Sequence, residues 1–145
     1  MGENKFYAYL KVDGEVVSSQ TPKLEGLSAP GPWITNMDAM FAYVKENIPM
    51  TDKVVFLPGE DPFFAATGRT NPLPYSQLHI ATYPFGQGVI ADVYNRKIPW
   101  MIVKTIDQIQ PNQGLVYVLD PWLQADKYYT PYKVLEGYTV FQRKP

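Results

Sequence analysis

The chain has 145 residues, 46% hydrophobic and 19% charged, which is the composition of one globular domain with a real core and argues against disorder. A net charge of -1 and a pI of about 5.8 mark no basic face and argue against nucleic acid as a partner. The absence of cysteine excludes disulfides and thiolate metal sites, and a single histidine, His79, excludes a histidine-rich metal site.

In chain order, Phe6 to Lys11 and Glu15 to Ser19 flank Val12-Asp13-Gly14, a hairpin signal. Residues 20 to 34 carry Pro22, Gly26, Pro30, Gly31 and Pro32 and read as a connecting loop. A hairpin and linker over 1–25 and an α/β core over 26–145 are therefore expected within one soluble domain. Thr35 and Asp38 form a capping-box-like pair, and Met37, Met40, Phe41, Val44 and Ile48 fall on one helical face that Pro49 ends. Val54 to Leu57 is a short apolar run that predicts a strand buried on both faces. Pro58-Gly59 stops it, Asp61 suits the cap of a short helix Pro62 to Thr67, and Gly68 suits its left-handed exit.

A Pro-rich turn over 70–76 and a short strand Gln77 to Thr82 follow. Another helix is predicted from about Gln87 to Arg96, with Val89, Ile90 and Val93 inward, and then the apolar strand Trp100 to Val103. Residues 105 to 114 read as an exposed loop. Leu115 to Tyr129 has a helical apolar face, but Pro121 does not belong inside a helix, so Asp120-Pro121 is an alternative helix start. Tyr132 to Leu135 and Tyr138 to Arg143, joined by Glu136-Gly137, form a terminal antiparallel hairpin. Two helix-then-buried-strand units predict a small three-layer-like α/β domain, with a mostly parallel central sheet and antiparallel strands at its edges.

The polar groups Glu60, Asp61, Thr67, Arg69 and Asn71 gather beyond the carboxyl end of the Val54 strand, where open α/β sheets bind ligands. Each has a structural reading beside the functional one. Asp61 caps the short helix with Glu60 solvated nearby, or the pair holds sugar hydroxyls or a cation. Arg69 pairs with Glu60 or Asp61, or clamps a phosphate or carboxylate. Phe63 and Phe64 anchor the helix in the core, or they stack on a sugar ring, with Phe64 the candidate ligand contact. Gly86-Gln87-Gly88 lacks the full spacing of a phosphate-binding turn, and His79 has no nucleophile in a recognisable elbow near it. Of the 11 Tyr, 7 Phe and 3 Trp, most are expected in the core or on sheet faces, with an exposed aromatic surface of the sugar-binding or membrane-adjacent kind the alternative for some.

The run Glu46-Asn47-Ile48-Pro49, the stretch Lys53 to Arg69 with its Pro58-Gly59-Glu60-Asp61-Pro62-Phe63-Phe64 turn and Thr67-Gly68-Arg69, the strand Lys97 to Lys104 and the ending Leu135 to Arg143 resemble a soluble segment of bacterial polytopic membrane glycosyltransferases, of the protein-mannosyltransferase-like and aminoarabinose-transferase-like kind. The resemblance covers roughly residues 26 to 143. It implies a soluble domain that follows the last membrane helix of a longer chain, on the periplasmic side of the inner membrane. The parent enzyme would transfer sugar from a polyprenyl-phosphate donor. The family's catalytic carboxylates lie in membrane-proximal loops that nothing here matches, so no catalytic residue carries over. The expected partners are the membrane portion of the parent chain and a lipid-linked sugar or acceptor glycan, and no cofactor is implied. The alternative is a stand-alone sugar- or nucleotide-binding module using Glu60, Asp61, Phe64, Arg69 and Asn71.

Overall fold

The structure is a computed structural model that describes residues 14–57, 61–74, 89–104 and 126–145, with Asp61 and Val89 described through their backbone alone. The expected strands Phe6 to Lys11 and Gln77 to Thr82, the glycine pair around Gln87, His79, Glu60 and the segment 105–125 lie outside the described residues. The chain is a mixed α/β structure with two sheets. A small antiparallel sheet joins β1 (Val16–Ser18) to β2 (Ser28–Pro30). Helix α1 (Trp33–Asn47) leads to β3 (Val54–Leu57) and α2 (Asp61–Thr67). Then come α3 (Val89–Asn95), β4 (Trp100–Lys104), β5 (Tyr129–Leu135) and β6 (Tyr138–Arg143).

The main sheet runs in the order β3-β4-β6-β5. Val54 to Leu57 lies parallel to Trp100 to Val103 in direct register, and β6 is antiparallel to both β4 and β5. Among the described residues the parallel component is thus the β3–β4 pair alone, which departs from the mostly parallel sheet expected. Antiparallel strands are not confined to edges either, because β6 fills the interior place between β4 and β5. The reason is the tight turn at Glu136-Gly137, with Gly137 at φ 80°, which folds the hairpin so that its second strand meets β4.

Alternation along the strands sorts the core onto two faces. Val54, Phe56, Trp100, Ile102, Tyr138 and Val140 pack with the buried side of α1 and with Phe63 of α2. Val55, Leu57, Met101, Val103, Tyr129 and Phe141 pack with Ile90 and Val93 of α3. That is why β3 and β4 read as unbroken apolar runs. Each side chain so buried contributes about 1.5–3 kcal/mol of transfer free energy.

The helix ends show how local chemistry sets the boundaries. α1 starts two residues before Thr35, with Pro32 at its cap and no side-chain cap bond. The expected Thr35–Asp38 box does not form, because the Asp38 carboxylate is engaged elsewhere. It accepts from Ser19 Oγ at 2.7 Å, Gln20 N at 2.7 Å and Thr21 Oγ1 at 2.5 Å, and so clasps the β1–β2 loop to the helix. Burial alone would raise the Asp38 pKa, but these bonds outweigh it and hold the carboxyl below its ordinary value.

α2 ends as its sequence predicts, with Gly68 at φ 69° donating its N–H to the Phe64 carbonyl. α3 ends in a Schellman pattern, Lys97 N–H to Tyr94 O and Ile98 N–H to Val93 O, with buried Ile98 and Val93 closing it. Its left-handed position is held by a lysine, Lys97 at φ 58°, where glycine carries no steric cost. Strand β2 falls inside the span expected to be a loop. Ala29 pairs with Val17, and Pro30, with no N–H to donate, sits at the strand's last position.

Candidate functional site

Of the residues singled out beyond β3, the side chains of Phe64, Thr67, Arg69 and Asn71 are described, and each makes contacts within the fold. Asp61 is the first residue of α2, and Glu60 lies outside the described residues. Phe64 is half-buried against the α1 face of the core, its ring 5.1 Å from that of Phe63 in an edge-on contact. Phe63 itself is fully buried between the rings of Phe41 and Phe56. Asn71 accepts the Leu73 N–H at 3.0 Å, a side-chain turn that shapes the chain after α2.

Arg69 is more informative. It is only 8% exposed, and its guanidinium reaches back to the exit of α1. Nη2 donates to the Ile48 carbonyl at 2.7 Å, and Nη1 donates to the Pro49 and Asp52 carbonyls at 3.0 Å each. Pro49 stops α1 and leaves terminal carbonyls without helical partners, and a cation there also meets the negative end of the helix. These three acceptors are main-chain carbonyls; the pairing with Glu60 or Asp61 expected from sequence falls on side chains outside the described residues. Burial pulls the Arg69 pKa down, partly offset by the Asp52 carboxylate. Guanidinium nevertheless keeps its proton in proteins.

Asp52 carries the connection further. Its Oδ2 accepts from the Trp100 indole Nε1 at 2.9 Å, so the α1 exit is tied to the first residue of β4. The Trp100 ring meets Tyr132 edge-on at 5.0 Å, across a bulge in β5 between Pro131 and Lys133. Arg69, Asp52, Trp100 and Tyr132 thus form one continuous brace. Sequence reading could not anticipate it, because backbone carbonyls carry no residue signature.

One group at the carboxyl edge of the sheet was not singled out from sequence. Lys104 ends β4, pairs in register with Tyr138 and is only 3% exposed. With Arg69 it is one of two buried cations among the described residues. Its signal in the sequence is a lysine closing an otherwise apolar strand, Trp100-Met101-Ile102-Val103-Lys104. Lys104 already has an interaction partner within the protein. No group of three or more His, Asp or Glu suited to a metal ion occurs among the described residues. No helix among them is long and apolar enough to cross a membrane.

No protein-family model matches this chain, and no curated protein matches it either.

Proposed function

We propose that this chain is a non-catalytic, extracytoplasmic accessory domain of a membrane glycosyltransferase that uses a polyprenyl-phosphate sugar donor. In this reading it is a single, small three-layer α/β domain that braces the membrane portion of its parent chain or positions donor or acceptor. The observation that carries the reading is the fate of Thr67-Gly68-Arg69, the end of the most family-like stretch. Gly68 ends α2 and the Arg69 guanidinium binds three main-chain carbonyls. A distinctive stretch committed to architecture supports a framework role rather than a chemical one.

The test is the gene upstream of Met1. The expected result is an open frame that continues into several runs of about 20 apolar residues. An in-frame stop directly ahead of Met1 would overturn the link to a membrane enzyme. Turnover of a polyprenyl-phosphate sugar by these 145 residues alone would overturn the non-catalytic role.

A second reading is a stand-alone module for a sugar or nucleotide at the carboxyl edge of the sheet, where α2 and the end of β4 lie. Titration with a nucleoside diphosphate or a sugar phosphate, followed by amide NMR, would then move Asp61, Arg69, Asn71 and Lys104 together. Shifts confined to other residues would exclude it.

A further inference from the structure

The register of the main sheet brings one set of chain ends together. Val54 is beside Trp100, Trp100 beside Gln142, and Arg143 beside Tyr129. The starts of β3, β4 and β5 and the end of β6 therefore form one pole, together with the exits of α1 and α3. Seven described cations collect there: Lys45, Lys53, Arg96, Lys97, Lys127, Arg143 and Lys144.

Contacts between segments fix this grouping. The Arg143 guanidinium lies 3.9 Å from the centre of the Tyr94 ring and donates from Nε to the Tyr94 carbonyl. Lys144 donates its N–H to Tyr128 O and its Nζ to Asp126 O. Lys127 lies 5.3 Å from the centre of the Tyr128 ring.

The carboxylates at this pole do not balance the cations. Four side-chain carboxylates are described there: Asp92, paired with Arg96 at 3.0 Å, Asp52, which holds the Trp100 indole, Glu46 in the last turn of α1, and Asp126. The opposite end of the sheet carries Glu136 in the hairpin turn and Asp61 at the start of α2, with Lys104 the buried cation at that edge. Among the described residues, charge is thus polarised along the strands. The same pole presents apolar surface: Met50 is 63% exposed in the α1–β3 connection and Tyr132 is 53% exposed on β5.

We propose that this pole docks on the anionic headgroup surface of a phospholipid bilayer. Cations interspersed with a protruding methionine and with tyrosines match the chemistry of the membrane interface, where basic residues meet lipid phosphates and aromatic rings sit at headgroup level. Lys97 adds a second line of support. It holds a left-handed position, φ 58°, that glycine would fill without strain, and backbone strain of this kind concentrates where function needs it. The choice of a bilayer as partner rests on the membrane-enzyme reading above, whereas the charge asymmetry stands without it.

The experiment is flotation of the 145-residue chain with vesicles of phosphatidylglycerol in phosphatidylcholine, against phosphatidylcholine alone. Binding is expected with the anionic vesicles only and is expected to fall as salt rises. Lys97→Gly removes a cation while relaxing the backbone, so it should weaken binding about fivefold with no loss of thermal stability. Lys127→Glu combined with Lys144→Glu should weaken it by roughly 100-fold or more.

No binding, equal binding to both vesicles, or binding unchanged in these variants would overturn the proposal. So would tight retention on soluble heparin with no preference for anionic vesicles. The two readings fail separately. Failed flotation with membrane spans upstream removes this docking surface but leaves the parent enzyme, and flotation with a stop ahead of Met1 does the reverse.

Discussion

The two terminal strands of the described main sheet, β3 and β5, have opposite environments. Every residue of β3 is buried, with α1 and α2 packed on one face and α3 on the other. In β5, by contrast, only Tyr129 is buried and residues 130–134 are exposed on both faces. Hydrogen-bonded pairing is present in both, so pairing alone does not decide burial. What differs is whether helices cover the strand. β3 sits between two layers and anchors the fold. β5 is held by β6 and by one buried bond, Tyr129 Oη to Ile98 O at 2.7 Å. Burial there raises the Tyr129 pKa well above its ordinary value, so the hydroxyl stays protonated as a donor.

The contrast can be broken most severely at Phe63, which fills the space between α1, α2 and β3. Phe63→Ala should cost about 4 kcal/mol, read as a fall in the urea midpoint. Next is the brace behind β3. Arg69→Ala leaves the Ile48, Pro49 and Asp52 carbonyls without their donor and should cost about 3 kcal/mol. Arg69→Lys should recover only part of that, because an ammonium lacks the planar fork that spans all three. If Arg69 were a ligand clamp, Arg69→Ala would instead leave the unfolding midpoint unchanged.

A matched pair then tests burial itself. Val55→Ala on β3 should cost about 2 kcal/mol by thermal or urea unfolding. Its counterpart on β5 closes the series below.

The same gradient explains what could be read from the sequence. β3 and β4 were legible because a strand covered on both faces has to be apolar throughout. The hairpin was legible from Glu136-Gly137, and the exit of α2 from Gly68. β2 was not, since three residues, Ser28-Ala29-Pro30, carry no period and end in a proline. The start of α1 misled because Asp38 has the spacing of a capping partner but bonds to a distant loop. The basic pole was invisible in a net charge of -1, since its cations lie far apart along the chain. Arg69 was recognised as a residue that ties the turn together, but not which groups it ties. Nothing in a sequence marks three carbonyls as acceptors.

Smaller effects sharpen the picture. The Asp38 clasp makes the β1–β2 attachment depend on acid. Its folded pKa lies below the unfolded value, so the unfolded chain binds the proton more readily. The contribution is therefore present above the ordinary aspartate pKa of about 3.9 and is lost as pH falls through the folded value. Asp38→Asn should cost about 1 kcal/mol at neutral pH and flatten the acid limb of a stability-versus-pH curve. Smallest of all, Val134→Ala on β5, where Val134 is 70% exposed, should stay within about 0.5 kcal/mol of the parent. A cost near that of Val55→Ala would mean that β5 is covered in solution.

The interior position of β6 has a consequence for biosynthesis. Strands β3 and β4 can pair once Lys104 has left the ribosome, yet the flank of β4 that β6 will occupy stays open. It closes only when residues 138–143 emerge and slot between β4 and β5. Until then the nascent chain carries an apolar strand with unpaired N–H and C=O groups, a template for pairing with a neighbouring chain. Ribosome stalling or premature termination between Leu135 and Tyr138 would therefore yield an aggregation-prone species rather than a slightly shortened domain.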